Sequence, residues 1–262
     1  MSSPRRGSDP LSGGRPRLVA LGASNLARGF GALVAATRAA WGGPFDVVSA
    51  FGPGRSYGMA SSLLGRRLPA ILDCGLWAAL DAQPRARTLA LVTDVGNDIL
   101  YEAEPERILE WIEEAVVRVR RHADEVAIAG LPLARIRSLS GPAFLFFRSL
   151  LVPQCRLSRA ETLDRSERID TALRAIAQRH GARFVALPLE WYGVDPVHVR
   201  AAAWMTAWRT IAGFDGADAR VRAWETLRLF MMKPERRSWL GVPQRGRQPG
   251  LTLAGGVSVA AY

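Results

Sequence analysis

The chain has 262 residues, 48% of them apolar and 23% charged, which is ordinary for a soluble globular protein and leans towards one α/β domain with appendages. Its formal charge is +11, but the basic residues are almost all arginine, with Lys233 the single lysine, and they are spread along the chain instead of forming one block. With no zinc-finger spacing and no RNP-like string, a nucleic-acid surface is not favoured. Residues 1–16 are mostly Ser, Gly, Pro and Arg and read as a flexible tail, lacking a signal peptide's hydrophobic core despite Arg5 and Arg6. The most apolar stretch, residues 143–152, is about half of a membrane span and contains Arg148, so a cytoplasmic location is expected. Cys74 and Cys155 sit in apolar surroundings without CxxC spacing, as buried packing residues in a reducing compartment would.

In chain order, residues 18–21 read as a strand buried on both faces, Gly22 as a sharp turn, and residues 26–41 as a helix. Gly42-Gly43-Pro44 stops that helix, and residues 45–51 form a second strand that ends in Gly52-Pro53-Gly54-Arg55-Ser56-Tyr57-Gly58. Residues 59–80 read as one helix broken near Pro69, or as two short ones. A third strand over 88–93 runs into Asp94-Val95-Gly96-Asn97-Asp98. Residues 105–121 place Ile108, Ile112, Val116 and Val119 on one helical face, and residues 125–129 give the fourth strand. A loop from Gly130 to Pro142 follows, then a mostly helical region over 143–180 that Gly181 ends, and a fifth strand over 183–187. Trp204, Trp208 and Ile211, then Val221, Trp224 and Leu227, have the spacing of two further helices. Residues 234–249 are basic and rich in Gly and Pro, reading as a loop or linker, and residues 251–259 suggest a closing hairpin. Five strands alternating with helices imply a three-layer α/β/α, flavodoxin-like five-stranded parallel sheet, with extra C-terminal helices and a possible terminal hairpin.

Open sheets of this kind bind ligands at the C-terminal ends of their strands. Ser24 falls there, in the turn after the first strand, where the helix N–H groups favour a developing oxyanion; the plainer role for such a serine is a helix cap. His122 and His180 sit in last helical turns among arginines, as partly exposed residues would. His198 instead follows Asp195 by three residues in the loop after the fifth strand, so the carboxylate can orient the imidazole. With Ser24 on the same rim, nucleophile, base and orienter are all present. The Ser24 N–H, the Gly54 N–H and the Asn97 side-chain amide can converge as oxyanion donors, while Asp98 reads as structural.

Together these residues resemble the SGNH, or GDSL-type, hydrolase family, whose Ser, Gly, Asn and His stand in four separate blocks. Here they are Gly22-Ala23-Ser24-Asn25, Gly54, Gly96-Asn97-Asp98 and Asp195-Pro196-Val197-His198, in the same order and at corresponding strand ends. Ala23 stands where the family usually has aspartate, and Asn25 where leucine is common. The resemblance implies Ser24 as nucleophile, His198 as base, Asp195 as its partner, and Gly54 and Asn97 in the oxyanion hole. It implies an ester hydrolase for a small-molecule substrate, needing neither metal nor other cofactor, with an acyltransferase on the same residues and a basic non-catalytic binding protein as alternatives. The family-like domain would span residues 17–232 including the added helices, and residues 233–262 would be a basic Gly/Pro-rich tail. A rival nucleophile is Ser56, because Gly54-Arg55-Ser56-Tyr57-Gly58 fits the G-x-S-x-G elbow of α/β-hydrolases; the two residues between strand and turn and the missing HGGG-type loop favour Ser24.

Overall fold

The first strand, β1 (Arg17–Leu21), is buried at every residue, as a strand covered by helices on both faces must be. The computed structural model that shows this describes residues 14–214, 216 and 219–262; most of the tail expected over residues 1–16 lies outside the described residues. After β1 come α1 (Ser24–Trp41) and β2 (Asp46–Ala50), then β3 (Ser61–Leu63), β4 (Arg66–Leu68) and α2 (Leu76–Asp81). The chain continues through β5 (Thr88–Val92), α3 (Asn97–Leu100), α4 (Pro105–Arg120) and β6 (Glu125–Ala129). Next are α5 (Leu133–Ser138), α6 (Gly141–Leu151), α7 (Arg159–Arg179) and β7 (Arg183–Val185). Finally come α8 (Trp204–Ala212), α9 (Ala223–Met231), β8 (Arg236–Trp239), β9 (Val242–Arg245), β10 (Leu251–Leu253) and β11 (Val257–Ala261).

The main sheet has seven strands in the order β10-β11-β2-β1-β5-β6-β7, and all but β10 run parallel. Its five expected strands form the flavodoxin-like core of a three-layer fold. On one face Ile108, Ile112, Val116 and Val119 of α4 pack with Ile169, Leu173 and Ile176 of α7. On the other, Leu26, Phe30 and Leu33 of α1 pack with Trp208 and Ile211 of α8. The α7 N-terminus is fixed by a capping box between Ser158 and Glu161, and Gly181, at φ +59, follows its end.

Four expectations are corrected. Residues 59–80 are not mainly helical: Leu64 and Gly65 turn the chain at positive φ, so β3 and β4 pair as a hairpin. Leu63, Leu64 and Leu68 imitate a helical face in the sequence, which the turn overrides. Residues 234–249 are not a loop, because β8 and β9 pair around a second Leu-Gly turn and complete a four-stranded sheet, β3-β4-β8-β9. Pro243 is tolerated in β9 because that strand lies at an edge. The segment 130–142 contains the short helix α5, and α6 starts before Pro142, capped by the Ser140 side chain; proline suits a first helical turn. Lastly, the closing hairpin forms as expected, β10 pairing antiparallel with β11, but it is no tail, since β11 lies parallel to β2 inside the main sheet.

Val257 and Val259 are fully buried there. Val259→Ala should therefore cost about 2 kcal/mol, read as a lower urea midpoint, whereas a free tail would show no change.

Candidate active site

Gly22 turns the chain at the end of β1. A methyl group on it would lie 2.4 Å from Thr93 Oγ1 and 3.2 Å from Asp94 Oδ2, so any larger residue would push apart the loops after β1 and β5. The α1 N-terminus has no cap of its own, because Ala23 carries no polar side chain. Asp94 supplies one from the neighbouring strand: its Oδ2 accepts from Ala23 N at 2.7 Å and Leu26 N at 3.1 Å. A carboxylate is favoured at a helix N-terminus, and Asp94 adopts the positive φ (+59) that its loop requires, a conformation aspartate tolerates better than most residues.

Ser24, at the first position of α1, is nearly buried. Its hydroxyl lies 3.0 Å from His198 Nε2, and His198 Nδ1 lies 2.7 Å from Asp195 Oδ2. The other Asp195 oxygen accepts from the Val197 and His198 amides at 3.0 and 3.2 Å. Burial opposes ionisation of Asp195, but the hydrogen bonds from the His198 ring and these amides outweigh it and hold the carboxyl at about 2. An ionised carboxylate only accepts, so Nδ1 carries the ring hydrogen and Nε2 is left to accept from the Ser24 hydroxyl. Arg28 adds a cation 3.6 Å from Asp195 Oδ2.

Asn25 fixes the histidine loop. Its side-chain amide donates to Val197 O at 3.1 Å, and its Oδ1 accepts from Val199 N at 2.8 Å. The two bonds straddle His198, as a strand neighbour would, and a Tyr192–Val199 bridge closes the loop below them. Neither Asn25 nor Asp94 stands out in the sequence as a positioning residue. The signal present was the departure at positions 23 and 25: a turn without its usual carboxylate and leucine needs other partners.

Gly54 adopts φ +70, and its carbonyl accepts from the Tyr101 hydroxyl at 2.5 Å. Asn97 opens α3, with its amide nitrogen 3.5 Å from Arg55 O, so the two ends of α3 both contact the Gly54-Arg55 segment. The Tyr57 hydroxyl pins that segment to the sheet, donating to Thr93 O at 2.8 Å and accepting from Thr93 N at 3.1 Å. Burial drives the Tyr57 phenol upwards, which keeps it a neutral donor. Ser56 is fully buried, and its Oγ accepts from Gly58 N at 3.2 Å and Met59 N at 3.0 Å, as a turn cap does. His122 and His180 pair elsewhere, with Asp81 at 3.1 Å and Glu113 at 2.8 Å. Beside the Ser24–His198 pair, a cavity of about 110 Å³ opens between the strand ends and α5, α6 and α7. Asn25, Asn97 and Val197 reach it from the histidine side, and Leu131, Phe144 and Phe147 make it apolar.

No family model matches the sequence, and no curated protein matches it. Solved structures do. The carbohydrate acetylesterase Est24 from Sinorhizobium meliloti superposes with a TM-score of 0.50 at 15% identity, over 76% of this chain and 97% of that one. The native aryl esterase of M. smegmatis superposes with a TM-score of 0.51 at 15% identity, again over 76% and 97%. The chain has an SGNH hydrolase-like fold.

Asp98, next to Asn97, is fully buried and accepts from Tyr57 N at 3.1 Å. Burial raises its carboxyl to about 6, against hydrogen bonds from Ser56 and Tyr57 that lower it. Between its unfolded value of 3.8 and about 6, the native chain holds a proton that the unfolded chain has released. Stability from this group is therefore present below that window and is lost as pH rises through it. Asp98→Asn should flatten this part of a stability–pH curve measured by urea unfolding; an unchanged slope would show that Asp98 does not titrate there.

Proposed function

We propose that the protein is a serine ester hydrolase acting through an acyl-enzyme on Ser24. The observation that carries this reading is the hydrogen-bonded chain Ser24–His198–Asp195 at the C-terminal rim of a parallel sheet. Ser24 Oγ attacks the ester carbonyl carbon as its proton passes to His198 Nε2, and Asp195 stabilises the resulting imidazolium without taking the proton. The tetrahedral oxyanion faces the Ser24 N–H in the first turn of α1, the Gly54 N–H and the Asn97 amide, donors typically worth about 3 kcal/mol each. Collapse breaks the ester C–O bond, and the leaving alkoxide takes the proton from His198. Water then attacks the acyl-enzyme, gives its proton to His198 and releases the acid, and Ser24 recovers its hydrogen. The apolar cavity beside Asn97 and Val197 fits the acyl group of an uncharged ester.

A fluorophosphonate probe should label the protein, and Ser24→Ala should abolish labelling and lower kcat/KM for a p-nitrophenyl ester at least about 10³-fold. Loss in Ser56→Ala with activity retained in Ser24→Ala would overturn the assignment. Asn25 acts through His198, so Asn25→Leu should lower kcat by about tenfold with little change in KM or melting temperature. A fall in melting temperature with kcat intact would make Asn25 only structural.

A further inference from the structure

The sheet β3-β4-β8-β9 has no part in the ester chemistry, yet its construction is unusual. Its two hairpins have two-residue turns, between Leu63 and Arg66 and between Trp239 and Val242. Both turn residues in each have positive φ: Leu64 (+48) with Gly65 (+78), and Leu240 (+48) with Gly241 (+83). Such turns favour Asn, Asp or Gly at the first position, and a bulky side chain there is sterically disfavoured. Leucine nevertheless occupies it twice, with Leu64 88% and Leu240 74% exposed. The tips stand together, joined by a hydrogen bond of 2.8 Å from Leu240 N to Gly65 O.

Behind the tips the sheet is cationic. Residues 59–68 and 233–249 hold seven arginines and lysines against the single acid Glu235, a surplus of six in a chain whose total is +11. Arg236 lies directly opposite Arg245 on paired strands; Arg236 has Glu235 at 3.5 Å, and no acid pairs with Arg245 among the described residues. Arg67 shares a groove with both.

We propose that this sheet docks on an anionic lipid bilayer, with Leu64 and Leu240 entering the headgroup boundary and the arginines meeting lipid phosphates. Exposed leucines at the tips with arginines behind them match a surface that is apolar inside and negative outside; a nucleic acid would have no use for the leucines. The sheet also abuts the loop carrying Gly54: Arg66 Nη2 donates to Pro53 O at 3.2 Å, and Leu63 Cδ2 lies 3.8 Å from where a Gly54 methyl would stand. Docking therefore brings the Ser24 rim towards esters held in the lipid surface, a consequence that rests on the hydrolase reading above.

Co-sedimentation of the full chain with phosphatidylcholine vesicles, with and without about one-third phosphatidylglycerol, tests the docking itself. The chain should bind the anionic vesicles only. Leu64→Asn/Leu240→Asn should weaken that binding at least about tenfold with an equal or higher melting temperature, because asparagine suits the turn better than leucine. Arg67→Gln/Arg245→Gln should weaken it about tenfold or more. Ser24→Ala should bind like the wild type, so a failure of the hydrolase assignment would leave docking intact. Absence of binding to anionic vesicles, or equal binding by the leucine variant, would overturn the proposal. So would binding to duplex DNA that replaces vesicle binding, or a dimer that the leucine changes split without any effect on vesicles.

Discussion

The arrangement around Ser24 depends on one carboxylate that comes from a different strand. Asp94 caps α1 from the loop after β5, so the helix that carries Ser24 is anchored to the segment that leads to Asn97. In a self-capped helix the Ser24 turn and the Asn97 loop would be independent bodies. Here a shift of either one breaks charge-assisted hydrogen bonds, which are stronger than neutral ones. Gly22 makes the arrangement possible by letting the two loops approach to within side-chain contact. Asn25 then extends the same rigid unit to the histidine loop, and Tyr57 extends it to the Gly54 loop. Four chain segments far apart in sequence are in this way held by side chains that do not themselves react.

Much of this was legible in the sequence. The parallel core could be read because its strands are short apolar runs closed by glycine or polar residues, and β6 falls where its residues placed it. The pairing of Ser24 with Asp195 and His198 could be anticipated because strand ends in such a sheet share one rim, so residues at successive ends meet whatever their separation. The basic second sheet could not. Its strands are three or four residues long, carry arginines on both faces, and turn at leucine where asparagine or glycine would have announced a hairpin. The roles of Asp94 and Asn25 were hidden for another reason: each serves a backbone group of a distant segment, and no local pattern encodes that.

The two sheets also divide the physical work. The main one is covered by helices, while the small one is thin and cationic, with apolar tips that no part of the described chain covers. Joining them through Arg66 and Pro53 places the charge-bearing surface against the loop that carries Gly54.

The contacts of Arg55 tie the timing of assembly to this layout. Its guanidinium is buried and donates to Pro69 O, Phe51 O and Tyr262 O, and Tyr262 N is bonded to Ser49 O at the foot of the same loop. A nascent chain whose first half has emerged from the ribosome can pair β1, β2 and β5, but the cation beside Gly54 stays short of an acceptor until residue 262 arrives. Such long-range closure is slow compared with local pairing, so the loop that carries Gly54 is completed only once β11 has joined β2.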